Sequence, residues 1–505
     1  MRTVRRISQA LFFMLFLGLF LWATYPLRVF LPVDLFFRAD PLVAVTAGIA
    51  ARQFIARLIP GLIILAVSAL LGRFFCGWIC PMGFLIDVFN RMFPAAPKNQ
   101  HNSRLKGVKY IILAALVVTA VFSLQLTGLF DPFSILFRST TLFLYPLFVG
   151  ITEGIFGILT HITFLEDPVY SLWDSMTGSI LPANTVFFTG SLLTALLFCA
   201  ILLITLYQKR FWCRNLCPLG ALYALVSRLR IHKRHVSDDC ISCGKCRTVC
   251  RMDAISEDFK ATDNAECISC MDCVAVCPVN AVKFSVKPKE KNTFRQVDMN
   301  RRRVLAAGVA GIVGASIASR AVSKPSTAGK VIRPPGAVNE PEFLDRCVRC
   351  GECVRICSTS GAGLQHALLE SGLQGIWTPM LVGEMGYCEY NCNLCGQVCP
   401  TGAISPLTKE QRQEVKMGTA HFDKTRCIPW YYGEDCMVCE EHCPLPDKAI
   451  KFRTTEIVTI DGKKSTVSLP YVVEELCIGC GICVNRCPLD GNRGIFLTNA
   501  NAQRE

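Results

Sequence analysis

The sequence predicts a membrane α-helical bundle joined to compact α+β modules built around cofactors, and three observations predict it. Apolar residues make up 51% of the chain and charged residues 18%, yet the formal net charge is +14. That combination suits a membrane protein with basic loops and not a nucleic-acid binder. The long uncharged stretches crowd into the first 230 residues, while the 29 cysteines fall into tight groups with ligand spacing. A disulfide scaffold is excluded, because such scaffolds are short chains. Only Cys199 stands alone, and a lone Cys in an apolar helix reads as a small buried hydrophobe.

Residues 1–230 read as a transmembrane domain. Uncharged stretches run Ile7–Leu27, Leu58–Gly72, Tyr110–Phe130 and Ser175–Gln208, against the roughly 20 residues that a spanning helix needs. Phe74 and Phe75 extend the second past Arg73. A further run, Ser139–Leu165, is broken by Glu153; it reads as lying along the outer surface, with a fifth span as the alternative. Arg2, Arg5 and Arg6 precede the first span, and Arg91, Lys98, Arg104 and Lys106 fall between the second and third. The positive-inside bias then puts the N-terminus in the cytoplasm. Against it, Arg28, Arg38, Arg52 and Arg57 lie in the first outer loop, offset in part by Asp34 and Asp40.

Residues 231–288 form a first cysteine module with an internal repeat of 27 residues. Cys240-x2-Cys243-x2-Cys246-x3-Cys250 recurs as Cys267-x2-Cys270-x2-Cys273-x3-Cys277-Pro278. Three thiolates at this spacing wrap a cubane from one tight loop, and the fourth reaches the other cube, as in two-cluster ferredoxins. One 4Fe–4S cluster is therefore assigned to Cys240, Cys243, Cys246 and Cys277, the other to Cys267, Cys270, Cys273 and Cys250. Zinc ribbons use two-cysteine knuckles, so zinc is the lesser reading.

A basic linker (289–303) ends in Asn300-Arg301-Arg302-Arg303, and residues 304–322 form an apolar run that reads as a membrane anchor or signal-like helix. After a second linker (323–342), residues 343–500 carry four more groups. They are Cys347, Cys350, Cys353 and Cys357; Cys388, Cys392, Cys395 and Cys399; Cys427, Cys436, Cys439 and Cys443; and Cys477, Cys480, Cys483 and Cys487. Ferredoxin-like 4Fe–4S modules are the fold these groups imply. The groups pair either nested, first with fourth and second with third, or in simple tandem. Trp430, Tyr431 and Tyr432 sit in an insert of the third group and read as a hydrophobic lid over a cluster.

A different pattern closes two of the apolar runs. Cys76-Gly-Trp-Ile-Cys80-Pro81 is echoed by Cys213-Arg-Asn-Leu-Cys217-Pro218. Two such halves, meeting about a pseudo-twofold axis, present four thiolates to one further iron–sulfur centre at the cytoplasmic boundary; structural turns with redox-active thiols are the equal alternative. No Cys-x-x-Cys-His, Walker loop, dinucleotide fingerprint or nucleophile elbow occurs, so no catalytic residue is assigned. His232 and His235 read as part of a solvated patch near anionic headgroups.

On the paired Cys-x3-Cys-Pro motifs, the Gly128-Leu-Phe-Asp131-Pro132 segment and the two ferredoxin motifs, residues 1–290 resemble the NapH/MauN family of membrane polyferredoxins, and more loosely the membrane part of NosR. Residues 297–500 resemble the NapG/MauM family, a twin-arginine leader followed by four cluster motifs, so the chain reads as a natural fusion of the two. Asn300 and Val304 depart from the usual leader residues. The resemblance implies electron delivery from the quinone pool, through the bacterial inner membrane, to a periplasmic redox enzyme or its small electron carrier. It puts the first module in the cytoplasm and the four-cluster module in the periplasm. The alternative is a maturation factor supplying electrons for biogenesis of a periplasmic metalloenzyme. Six 4Fe–4S clusters account for 24 of the 29 cysteines.

Overall fold

The computed structural model describes residues 2–27, 31–95, 105–161, 164, 166–177, 180–182, 187–286, 308–309, 311, 331–458 and 464–504. The twin-arginine segment, nearly all of the 304–322 run and most of both linkers lie outside the described residues.

The described residues among the first 230 are mainly helical. Two helices, Arg2–Trp22 and Pro132–Leu159, are long and apolar enough by length and composition to cross a membrane. The other expected spans are shorter than the sequence suggested: Ala56–Leu71, Val108–Val121 and Ser191–Leu206. Backbone geometry explains two of these ends. The second closes on Gly72 at φ 83°, and the third closes just before Ser123 at φ 57°, left-handed conformations that stop a helix. Glu153 does not break its run, which continues as one helix of α and π turns through Leu159. Cys199, expected to be buried, is exposed on the outer face of its helix.

One continuous core fills this helical domain. Phe16, Phe20, Phe36, Phe37, Phe75, Phe133, Phe137 and Tyr223 meet in it with Cys80, Cys217 and, from far along the chain, Val348 and Cys350. Edge-on and stacked rings link its parts: Phe75 stacks on Tyr223 at 5.6 Å, and Phe137 meets Phe20 at 5.4 Å.

The cysteine modules cap opposite ends of this domain. A helix rises about 1.5 Å per residue, so the 21 residues of Arg2–Trp22 span about 30 Å. Near its start, Arg5 pairs with Asp272 of the first module (3.3 Å). Near its end, the Phe20 carbonyl accepts from Arg355 Nε of the second module (3.2 Å).

Each module is closed by short antiparallel pairings that flank its cysteines. In the first, β1 (Lys233–Val236) pairs with β2 (Val282–Ser285) around Cys240–Cys277. In the second, an Ala337–Ile404 bridge encloses the first two groups, beside β3 (Leu364–His366) and β4 (Pro379–Leu381). β5 (Thr419–Phe422) pairs with β8 (Ile495–Thr498) around the last two groups, with the hairpin β6 (Ile450–Val458) and β7 (Lys464–Val472) inserted between them. The four-cluster module is thus two ferredoxin-like units in tandem, and the nested arrangement is not the one adopted. Of the aromatic insert, Trp430 alone packs inward, donating to the Pro470 carbonyl (3.0 Å). Tyr431 and Tyr432 are about half exposed.

Candidate metal centres and the path between them

Backbone conformation prepares the cysteine loops for an anionic guest. In four groups the residue before the second Cys and the residue after it are both left-handed: Ser242 and Gly244, Ser269 and Met271, Arg349 and Gly351, Gly479 and Gly481. Such alternation turns successive N–H groups toward one concavity, the geometry of anion-binding nests at iron–sulfur sites.

The cysteines gather as the crossed pattern requires. Cys250 joins Cys267, Cys270 and Cys273 around one small cavity. Cys357 joins Cys388, Cys392 and Cys395 around a second, and Cys443 joins Cys477, Cys480 and Cys483 around a third. The exchanged partners obey the same rule: Cys399 lies within electrostatic reach of Cys347, Cys350 and Cys353, and Cys487 of Cys427 and Cys439. Cys240 and Cys243 gather on Cys246, and Cys277 packs with Cys246 in one small core. Among the described residues no trio of His, Cys, Asp or Glu converges on a single ion. Sulfurs ranged around a cavity fit a cubane, whereas four sulfurs about 2.3 Å from one point would fit zinc.

Burial makes the most enclosed of these thiols, Cys357 and Cys270 among them, poor acids. Burial and the nearby Cys388 push Cys357 up to about 12; burial and Asp272 do the same to Cys270. Iron supplies the positive charge that lets four buried thiolates coexist. Arginines adjust the result: Arg412 Nη2 donates to Cys388 Sγ at 3.0 Å, and Arg234 Nη2 to Cys246 Sγ at 3.5 Å. Charge-assisted bonds to sulfur stabilise the more negative state of a cluster.

The two Cys-x3-Cys-Pro motifs meet, with a symmetry that extends beyond the cysteines. Cys76, Cys80, Cys213 and Cys217 lie within electrostatic reach of one another. The second cysteine of each motif is a helix N-cap, with Pro at the first helical position: Cys80 Sγ accepts from Gly83 N (3.4 Å) and Cys217 Sγ from Gly220 N (3.3 Å). The positive end of a helix dipole therefore faces each sulfur. Arg73 and Arg210, each three residues before the first cysteine of its motif, reach across the axis. Arg210 Nη1 donates to the Cys76 carbonyl (3.0 Å), and Arg73 Nη2 to the Cys213 carbonyl (3.4 Å). The sequence carried this signal as the shared Arg-Phe-aromatic-Cys, and cysteine spacing alone did not expose it. Cys76 and Cys213 pack with Cys250, Cys267 and Cys270 of the first module.

Both modules dock through the same point of their motif. The residue after the first cysteine of a Cys-x-x-Cys loop presents its carbonyl to a glycine of the helical domain. A Cβ on Gly77 would come within 2.4 Å of the Ile268 oxygen, and one on Gly128 within 1.9 Å of the Val348 oxygen. Between the two ends sits a pair of fully buried carboxyls, Asp40 and Asp131, whose pairing sequence reading did not show. Asp40 Oδ1 accepts from Leu42 N (2.8 Å) and Asp131 Oδ2 from Ser134 N (2.7 Å). Their other oxygens have no donor among the described residues and the two groups interact with each other, an arrangement that one shared proton satisfies.

Comparison with known proteins agrees with this geometry. Family models described as 4Fe-4S binding domains match residues 54–99 and 191–237, which hold the two Cys-x3-Cys-Pro motifs. Others match 234–256 and 470–490, 344–360, and 267–281. The methylamine utilization ferredoxin-type protein MauM of Methylophilus methylotrophus is 32% identical over 203 residues, 40% of this chain and 83% of that protein. The ferredoxin-type protein NapG of Escherichia coli is 38% identical over 164 residues, 32% of this chain and 68% of its own length. NapF of the same organism is 29% identical over 168 residues, 33% of this chain and 85% of its own. No solved structure matches. With cysteine sets that fit cubanes and relatives of this kind, the chain belongs to the MauM and NapG family of ferredoxin-type proteins, iron–sulfur proteins of electron transfer.

Proposed function

We propose that the chain carries electrons across a bilayer, from quinol to a periplasmic redox enzyme or its small carrier. Six 4Fe–4S clusters and a further centre on Cys76, Cys80, Cys213 and Cys217 form the route. The observation that carries this reading is the single core that borders Cys80 and Cys217 at one end and Cys350 at the other, with a ferredoxin module docked at each. Adjacency supports an order. The Cys240 and Cys267 sets share one small core, and the Cys267 set touches the paired motifs. The Cys347 set follows across the aromatic core, then the Cys388 set packed with it. Cys388 N donates to the Cys480 carbonyl at 2.8 Å, and the Cys477 set shares a core with the Cys427 set.

A bound cluster accepts and hands on one electron. The chain's own residues fix its neighbours, exclude water and set the charge around it. Quinol yields two electrons, taken up singly, and two protons that go to water. An outward belt of apolar side chains supports the bilayer: Ile7, Leu11 and Met14 on the first helix, and Leu192 and Leu196 on a later one, are exposed, a surface that water does not favour. The arginines near the N-terminus favour a cytoplasmic first module. The test is reduction of the reconstituted holoprotein by quinols of graded potential, followed by EPR. Cluster signals are expected to appear, and silence with every quinol rejects the quinol reading.

A further inference from the structure

A cavity of about 390 Å³ lies between the helix Ser191–Leu203, the helix Pro132–Ser139 and the four-cluster module, whose Trp377 forms part of its wall. Its mouth is lipophilic. Leu197, Ile204 and Phe130 line it and are also exposed on the outer face of the domain, so an apolar ligand can reach it from within a bilayer.

Its wall also carries polar groups, one of them without a partner among the described residues. Trp212 Nε1 is buried with no acceptor among the described residues. Ser139 Oγ and Thr194 Oγ1 each donate to their own helix, to Ile135 O (2.7 Å) and Gly190 O (3.0 Å). Each therefore keeps lone pairs free to accept a hydroxyl proton. The Arg138 guanidinium lies 5.1 Å over the Trp377 ring and donates to the Arg349 carbonyl (2.8 Å), inside the Cys347–Cys350 loop.

The place of the cavity in the route gives it meaning. Trp212 precedes Cys213 of the paired motifs, while Arg138 interacts with Cys347 and Cys350 of the other module. The cavity wall therefore includes the chain neighbour of one centre and an interaction partner of the other. A ligand here must be flat enough to lie against indole, apolar enough to enter from lipid, and carry an oxygen that can accept from one indole N–H and hydroxyls that can donate to Ser139 and Thr194. An acyl chain leaves the buried Trp212 N–H without an acceptor, which burial penalises.

We propose that this cavity binds the ring of a membrane quinol, an inference that rests on the quinol reading above and gives it a location. The bound ring loses two electrons, one at a time, to the neighbouring iron–sulfur centres, and two protons to water at the face of the four-cluster module.

The test uses the full-length holoprotein in lipid nanodiscs, a photoreactive azidoquinone and a short-tailed menaquinol analogue. The label is expected on the stretch from Thr194 to Trp212. Ala200→Trp, which fills the cavity, and Trp212→Phe, which removes the donor, are each expected to slow quinol reduction of the clusters about tenfold. Dithionite reduction stays unchanged in both, which shows that the clusters are intact. If the menaquinol analogue reduces the wild type while the label maps elsewhere and both variants react at the wild-type rate, the site is wrong and the quinol reading survives. If no quinol reduces the wild type, both fall together.

Discussion

The two ends of the helical domain receive their ferredoxin modules by the same backbone contact and by opposite electrostatics. At the Gly77 end the interface is a buried ion-pair network. Glu266 holds Arg73 (2.8 Å) and Lys109 (2.6 Å), Asp253 holds Lys106 (3.0 Å), and Asp272 holds Arg5 (3.3 Å). At the Gly128 end, arginines donate to neutral carbonyls: Arg57 to Cys399 O (2.9 Å), Arg138 to Arg349 O (2.8 Å) and Arg355 to Phe20 O (3.2 Å). Arg355 also lies 4.3 Å over the Phe20 ring. A glycine and a cysteine-loop carbonyl set the distance at both ends, while the surrounding charges decide how each end responds to pH and to loss of a partner.

That comparison can be broken most strongly at Glu266. Glu266→Gln leaves Arg73 and Lys109 buried without their counter-charge, and docking of the first module is expected to weaken by about 3–5 kcal/mol. The change is read as increased hydrogen exchange across 253–272 with the Cys347 region unaffected.

Gly77→Ala and Gly128→Ala come next. Each added Cβ meets a backbone oxygen that cannot rotate away, and a cost of about 1–3 kcal/mol or more is expected. Gly128 is the more severe because its clash is closer, 1.9 Å against 2.4 Å. Cross-linking between helical domain and module measures which end has come loose: each variant should free only its own end.

Acid should separate the ends too. Burial pushes Glu266 up, but Lys109 and Arg73 outweigh it and hold it at about 2, below its ordinary 4.5. A carboxylate depressed in this way contributes its stability above the unfolded value, and the contribution disappears as pH falls through 4.5 toward 2. Exchange protection at the first module should fall across that window, and protection at the Arg138 contact should change less.

The smallest effect expected is redox. Arg412→Met removes the donor to Cys388 Sγ and should lower the potential of that cluster by on the order of 60 mV, one tenfold step for a single electron. A potentiometric EPR titration reads it.

The cysteine groups were legible in the sequence because a cubane demands fixed spacing, and the crossing of the fourth ligand followed from the same rule. The pairing among the last four groups was not legible. Ala337 against Ile404 and β5 against β8 are contacts between distant residues, and the spacing within a group carries no trace of them. The short apolar helices were missed for a related reason. Hydropathy counts apolar residues, whereas Gly72 and Ser123 end their helices through backbone conformation. Arg5 reads as a topological charge, yet it is fully buried on Asp272. Asp131 was visible as part of the Gly128–Pro132 segment and Asp40 as a loop charge, but their pairing was not, since each looks like an ordinary helix cap until the fold sets one beside the other.

The central claim is that one route joins the two modules through the paired motifs at Cys76, Cys80, Cys213 and Cys217. It is tested most directly in sealed vesicles with the protein inserted in one orientation, a membrane-impermeant reductant on the side of the first module, and freeze-quench EPR. Clusters of both modules are predicted to become reduced, and Cys76→Ala with Cys213→Ala is predicted to confine reduction to the first. Reduction that never reaches the four-cluster module in the wild type, or that reaches it equally well without those cysteines, would contradict the account.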